Sequence, residues 1–519
     1  MKRGSAEWPG MALLAVLALL VACALTSPLW TGRPWSMALS SGGGLVAALL
    51  VAWAAMCLQR GGAGRVAFDA FCRALLVAGV LNTVIGLMQL YAPAWTGNDW
   101  IAASLSGDRA VGNLRQANHL CALLLWAIAG AVWLDSQGRL SRRTSGALIA
   151  FLLLGVVITA SRSGTMGVLL FALWGALDRG LPRRLRGWLI ASPVLYGLLF
   201  GLVSSVSGLL GVAFWGQARL QENDVSNSRG SLWAEALALV RENPWTGVGF
   251  GEFNFAWTLH EFPNRSPDYF SVAHNLPLHF AAELGIPLAL VLVALLGWAL
   301  WRAVGLARGG EPSQLGARRA GLVMLLLMAV FSLIEIHLWF AHLLLPTVFL
   351  FGLLVTPDGA PADAAAPRPE PPPLLPVGLV ATLVLSVASL YQFSRVLPIF
   401  GMIREVELAQ RIETASRSWF FSHWADFARV NTAPDSRRLA PTASAHAVLE
   451  ARLLHAWAIA LAQRGETDKA RFIAARLKEF RKPEYEAFFA VCAQPPAADG
   501  GRPFQCEAPQ RRYSYRDFR

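Results

Sequence analysis

Charge is what this chain is short of. Only 15% of its 519 residues are Asp, Glu, Lys or Arg, against about 25% in a soluble domain, which excludes an ordinary water-soluble globular fold. Cysteine is sparse too. Of the six, Cys23, Cys57, Cys72 and Cys121 lie in or near apolar runs without metal-ligand spacing, so no zinc or iron–sulfur site, and no metal or cofactor of another kind, is expected. Cys492 and Cys506 lie in a polar tail, where an oxidising compartment would permit a disulfide. The glycines over 247–251 follow no strand-like run and precede no Lys-Ser/Thr, which argues against nucleotide binding.

What the chain has is hydrocarbon. Hydrophobic residues make up 55% of it and mean hydropathy is +0.45. Runs of the ~20 apolar residues that cross a bilayer recur near 11–27, 36–58, 74–92, 119–134, 146–160, 165–178, 188–212, 275–301, 320–334, 338–356 and 376–393. The short runs at 146–160 and 165–178 are compatible with two spans or one broken hairpin. The expected fold is therefore an all-α polytopic membrane protein of about eleven helices, with the lipid bilayer as its first partner.

Basic residues orient these spans, since loops rich in Lys and Arg stay cytoplasmic. Lys2/Arg3, Arg60/Arg65/Arg73, Arg139/Arg142/Arg143, Arg179/Arg183/Arg184/Arg186 and Arg302/Arg308/Arg318/Arg319 fall on alternate sides, in step with the spans. One topology places all of them inside. The net charge of +12 is mostly this topogenic signal, and no basic face interleaved with aromatics points to nucleic acid. Outside remain 93–118, the Ser161-Arg162-Ser163-Gly164 turn, a long loop over 213–273, the Glu335-Ile336-His337 break and the tail after 394.

The expected organisation is a transmembrane domain over 1–393 that includes the 213–273 loop as its catalytic segment, a Pro/Ala-rich cytoplasmic linker over 357–375, and an external helical domain over 394–519. Leu20-Val21-Ala22-Cys23 has the form of a lipoprotein cleavage box, but the many later spans favour an uncleaved first span. In the tail, residues 451–480 show helical periodicity broken at Gly465, as in a helical pair.

Chemistry concentrates at the outer face. Gly112-Asn113-Leu114-Arg115-Gln116-Ala117-Asn118-His119 opens a span. Its amides either cap the helix or pair with sugar hydroxyls, with Arg115 taking an anion. Arg162, a guanidinium close to hydrocarbon, suits an interfacial anchor or an anion site. Arg229 and Arg265 flank the long loop, as solvated cations or as bidentate pyrophosphate contacts.

The long loop closes on His274-Asn275-Leu276-Pro277. Asn275 can cap the following helix and Pro277 fits its first turn, which places His274 at the positive end of the helix dipole. That end attracts anions and favours a neutral imidazole, able to accept a proton. Asn275, His279 and Glu283 recur at i+4 as a polar stripe, serving a ligand or an interhelical network. Pro287 removes the amide that would have bonded the Glu283 carbonyl, so a kink is expected there. Glu335, His337 and His342 border a late span and line the same cavity or cap its helices.

In this order the Ser161-Arg162 turn, the Ser228-Arg229 to Trp233 segment, the Pro244 to Phe253 glycine turn, and Ala273-His274-Asn275 with Glu283-Leu284-Gly285 resemble the membrane glycosyltransferase superfamily of O-antigen ligases, O-antigen polymerases and bacterial O-linked oligosaccharyltransferases. The resemblance covers roughly 70–356. Residues 112–119 resemble the Gln-Pro-Asn-His signature of the protein-directed members, with Ala117 in place of proline. Glu335 to Pro346 resembles their late-span motif, with His337 where proline is usual.

That resemblance implies transfer of a glycan from undecaprenyl pyrophosphate to an acceptor hydroxyl at the periplasmic face of the bacterial inner membrane. His274 would act as base, and Arg162 and Arg229 would hold the pyrophosphate. Arg115, Gln116, Asn118, His119, Arg265, Asn275, His279, Glu283 and His337 would bind substrates. The acceptor is a protein Ser or Thr, then lipid A core, then a further glycan repeat. A flippase for lipid-linked glycan is the alternative from another class.

Overall fold

The computed structural model describes residues 8–104, 107–217, 227–263, 265–266, 268–309, 312–357, 374–400, 407–432, 443–495 and 502–519. Lys2, Arg3 and nearly all of the 357–375 linker lie outside the described residues. Among those described, the chain is helical throughout and forms no strand. Seven helices among the described residues are long and apolar enough to cross a membrane, and Arg162–Leu177, Ala341–Val355 and Val380–Ser394 are shorter apolar helices. The two short runs form separate helices, Arg142–Ile158 and Arg162–Leu177. The run expected over 275–301 is divided into Leu276–Leu284 and Ile286–Gly309.

The chain forms two compact units, one of residues 1–14, 50–225 and 296–376, the other of 15–49, 226–295 and 377–519. In the first, helix Ala117–Ser136 is buried along nearly its whole length. Small residues let its neighbours close on it. A Cβ added at Gly79 would lie 2.7 Å from that of Ala127, so backbones approach as they do in membrane bundles. Indole donors then find acceptors between helices: Trp126 bonds the Met324 carbonyl at 2.8 Å and Trp133 bonds Asp69 at 2.7 Å. Two arginines at the ends expected to be cytoplasmic also find partners. Arg319 pairs with Asp178 at 2.8 Å, and Arg318 donates to the carbonyls of Leu354 and Thr356 at the end of helix Ala341–Val355, where a cation favours the helix dipole.

In the second unit buried hydrocarbon runs across the boundary expected at 394. One apolar cluster joins Leu232, Leu239, Phe253 and Trp257 of the long loop to Leu454, Trp457, Phe472 and Phe518 of the tail. The loop buries its apolar face against the tail's amphipathic helices. The helical pair is present as Ala451–Gln463 and Thr467–Glu479, turned at Gly465 in the left-handed region. Cys492 and Cys506 are disulfide-bonded.

His423, on helix Ser422–Thr432, is buried with its Nδ1 3.2 Å from Ser36 Oγ. Burial, helped by the Arg33 charge, pulls this imidazole down to about 4. Folding therefore favours the neutral ring. The stability this contributes is present above the unfolded value near 6.5 and is lost as pH falls from there toward 4. Denaturant melts at pH 7 and pH 4.5 are expected to show His423→Gln removing about 2 kcal/mol of the acid sensitivity.

Candidate functional site

Asn275 is the N-cap of helix Leu276–Leu284. Its side chain accepts the Leu278 N–H at 3.0 Å, and Pro277 sits in the first turn. Immediately before it, half-buried His274 has φ 47°, a left-handed conformation uncommon outside glycine but one that His tolerates better than most. Such a backbone persists only when its neighbours hold it. The preceding residue is held at both of its backbone polar groups: Trp233 Nε1 donates to the Ala273 carbonyl at 3.1 Å, and the Ala273 N–H approaches His279 Nδ1 at 3.5 Å. The Phe270 ring stands edge-on to the His274 ring, 6.0 Å away.

The helix started by Asn275 stops at Gly285, whose φ 81° and ψ 161° are essentially restricted to glycine. The carbonyl that Pro287 leaves without its helical donor belongs to Glu283, and Gly249 N–H takes that role at 2.9 Å. The Glu283 carboxylate accepts Gly251 N–H at 2.7 Å and Phe253 N–H at 3.1 Å. The glycine turn thus packs backbone against backbone. A Cβ on Gly247 would lie 2.3 Å from the Glu283 carbonyl carbon, and Gly247, Gly249 and Gly251 all have positive φ. His279 is fully buried, its Nε2 3.5 Å from Glu283 Oε1.

Three residues expected to contact substrate have hydrogen-bonding roles within this unit. Asn275 caps, Glu283 anchors the turn and His279 supports residue 273. Arg265 is a fourth. Only 2% exposed, it is enclosed by the rings of Trp257, Phe262 and Phe480 at 4.8 to 4.9 Å. It donates to Glu479 at 2.8 Å and to the carbonyls of Trp257, Thr258 and His260. Burial pulls the Arg265 guanidinium down and pushes the Glu479 carboxyl up, each opposed by the other. Nearby, Glu235 accepts from Trp257 Nε1 at 2.7 Å and Ser266 N–H at 3.0 Å, while burial raises its carboxyl. Arg229 lies half-buried in the first turn of helix Asn227–Glu242.

The first unit carries the other predicted residues. Gln116 is the N-cap of helix Ala117–Ser136, accepting His119 N–H at 2.8 Å, so the capping reading holds for it. Asn118 donates to Glu335 Oε1 at 2.9 Å and accepts from Ser161 Oγ at 2.8 Å, while His337 Nε2 lies 3.2 Å from its carbonyl oxygen. Buried His119 meets His342 at 3.2 Å and lies 5.3 Å, ring to ring, from His337. Asn118 thus ties together the three polar breaks that the sequence singled out. Arg115, left-handed at φ 57°, and Arg162, at the start of helix Arg162–Leu177, are both exposed.

Sequence reasoning missed Trp233 as a clamp, Glu235, Arg33 and the fully buried Glu252–His446 pair at 2.7 Å. Arg33 donates to the Phe250 carbonyl at 3.2 Å, and a Cβ on Gly251 would lie 2.4 Å from its guanidinium. Its signal was available: a single arginine between the first two spans, in a loop that the charge rule places outside. Glu252 and His446 are 194 positions apart and had none.

Residues 147–293 match the O-antigen ligase family, residues 320–494 the C-terminal part of the virulence factor membrane-bound polymerase family, and residues 110–134 the protein glycosylation ligase family. Two curated relatives come from Acinetobacter baylyi. A general O-oligosaccharyltransferase is 23% identical over 265 residues, which is 49% of this chain and 45% of the relative. A ComP-specific O-oligosaccharyltransferase is 24% identical over 204 residues, 38% and 36% respectively. The chain thus matches less than half the length of either relative.

The division between scaffold and exposed cations can be measured. Arg265→Ala leaves Glu479 without its guanidinium and empties the space between three rings, and is expected to cost about 3 kcal/mol or more. Arg229→Ala, at a half-exposed helix start, is expected to cost under about 1 kcal/mol. Denaturant melts of the two variants check this.

Proposed function

We propose, from its similarity to O-antigen ligases over 147–293 and to protein glycosylation ligases over 110–134, that the chain is a membrane glycosyltransferase. It moves a glycan en bloc from undecaprenyl pyrophosphate to an acceptor hydroxyl at the periplasmic face of the bacterial inner membrane. The observation that carries this reading is His274, held left-handed at the entrance of a capped helix inside the matched 147–293 segment. The acceptor is a Ser or Thr of a protein. The match of 110–134 to protein glycosylation ligases and the names of both relatives favour this over lipid A core or a glycan repeat.

The scheme is one in-line displacement. The acceptor oxygen attacks the anomeric carbon, the bond from that carbon to the pyrophosphate oxygen breaks, and configuration inverts. His274 takes the hydroxyl proton as it leaves. A hydroxyl is a weak nucleophile near neutral pH, so assistance is needed at both ends of the reaction. Arg162 and Arg229 stabilise the negative charge that develops on the leaving pyrophosphate, and Arg115 contributes an anion contact. Asn118 and its partners organise the entrance that bears Arg115. The chemistry draws on no metal and no nucleotide sugar.

The proposed topology is about eleven spans with the long loop and the tail in the periplasm. The alternating basic clusters support it, as does the Cys492–Cys506 disulfide, a bond of oxidising compartments.

The decisive assay uses purified protein in detergent with lipid-linked glycan, offering a pilin-like protein, lipid A core and free glycan repeat in parallel. Transfer to the protein is expected; a flippase would transfer to none of the three. His274→Ala is expected to lower kcat at least about 100-fold at normal membrane levels, and wild-type turnover in that variant would sink the assignment. Trp233→Phe keeps the ring but removes the N–H that holds Ala273. It is expected to lower kcat about tenfold with KM for the donor unchanged, whereas a raised KM with kcat unchanged would mean that the indole serves binding alone.

A further inference from the structure

At the opposite face of the first unit a groove of about 560 Å³ runs between helix Arg162–Leu177 and helix Pro312–Phe331. Its wall is hydrocarbon from both helices, including Leu173 and Leu177, which are 51% and 71% exposed, and Leu322 and Leu326. Its end is polar, formed by Asp178, Arg179, Arg308 and Arg319. An apolar trough with a basic end has the outline of a phospholipid, one chain and one headgroup.

The charge at that end is fixed by the hydrogen bonds. Asp178 is committed to Arg319 at 2.8 Å, to Trp174 Nε1 at 3.1 Å and to the Gly180 N–H at 3.0 Å. Arg319 also donates to the Ala307 carbonyl at 3.3 Å. This pair is neutral in sum and builds the floor. Arg179 and Arg308, both exposed, then leave the end with an excess of two positive charges. Both belong to clusters that the charge rule assigns to the cytoplasm, the side on which anionic lipid headgroups attract such residues.

We propose that this groove is a binding site for an anionic phospholipid, with one acyl chain along the leucine wall and the headgroup phosphate held by Arg179 and Arg308. A zwitterionic lipid of the same chain length shares the hydrocarbon contact but carries an ammonium that the same arginines repel. The groove therefore selects by headgroup charge. The groove shares no residue with those assigned to glycan transfer and does not rest on that assignment.

The test is native mass spectrometry of the full chain in detergent, offered equimolar phosphatidylglycerol and phosphatidylcholine with identical chains. Wild type is expected to retain phosphatidylglycerol at least about tenfold more. Arg179→Gln and Arg308→Gln are each expected to reduce that preference roughly fivefold, and the double variant to abolish it, with an unchanged melting midpoint in lipid-free detergent. Leu173→Asn is expected to weaken both lipids alike. Equal retention by wild type, or a preference that survives in the double variant, would overturn the proposal. So would competition by millimolar inorganic phosphate, which would indicate a site for a free anion instead.

Discussion

A membrane helix that is broken must find partners for the backbone groups it releases, and Glu283 meets that requirement here. Its carbonyl, deprived of a helical donor by Pro287, accepts Gly249 N–H, and its carboxylate accepts the N–H groups of Gly251 and Phe253. Buried polar groups left without such bonds cost several kcal/mol each in an apolar surrounding. The same residue therefore ends one helix, fixes the glycine turn and lies beside the entrance of helix Phe253–Leu259. The three positive-φ glycines are the steric condition for it, because only a backbone without Cβ comes this close.

From that anchor the order of the second unit follows outward. The glycine turn presents Phe253, Phe255 and Trp257 to the shared core, and the tail closes over it through Glu252–His446, Asn254 to the Leu449 N–H at 2.8 Å and Tyr515 to Asn243 at 2.8 Å. Going back along the chain, His279 and Trp233 hold Ala273, and His274 emerges in a conformation that the isolated peptide would avoid. The polar stripe that sequence spacing offered to a ligand or to an interhelical network makes hydrogen bonds within this unit, beside His274 at the helix entrance.

Cations in this chain divide in the same way. Arg265 and Arg33 are absorbed into rings and carbonyls, whereas Arg115 and Arg162 reach solvent and Arg229 remains half-buried. Burial decides the role, because a guanidinium enclosed by aromatic faces has committed four of its five N–H donors to acceptors within the protein. Nothing in the local sequence around Arg265 distinguishes it from Arg229. Its partners Phe480 and Glu479 come from over two hundred positions away.

Much was legible in the sequence because it follows from local rules. The helical class, the placement of the apolar runs, the Asn275 cap, the Pro287 break and the Gly465 turn each depend on a few neighbouring residues and on the price of unsatisfied backbone in hydrocarbon. Tertiary structure alone decided that the long loop and the tail share one core, which partners within the protein Gln116, His279, Glu283 and Arg265 take up, and that Asn118 joins Ser161 to Glu335. Those outcomes depend on which distant side chain supplies the second hydrogen bond or the facing ring, and one-dimensional spacing holds no record of that pairing.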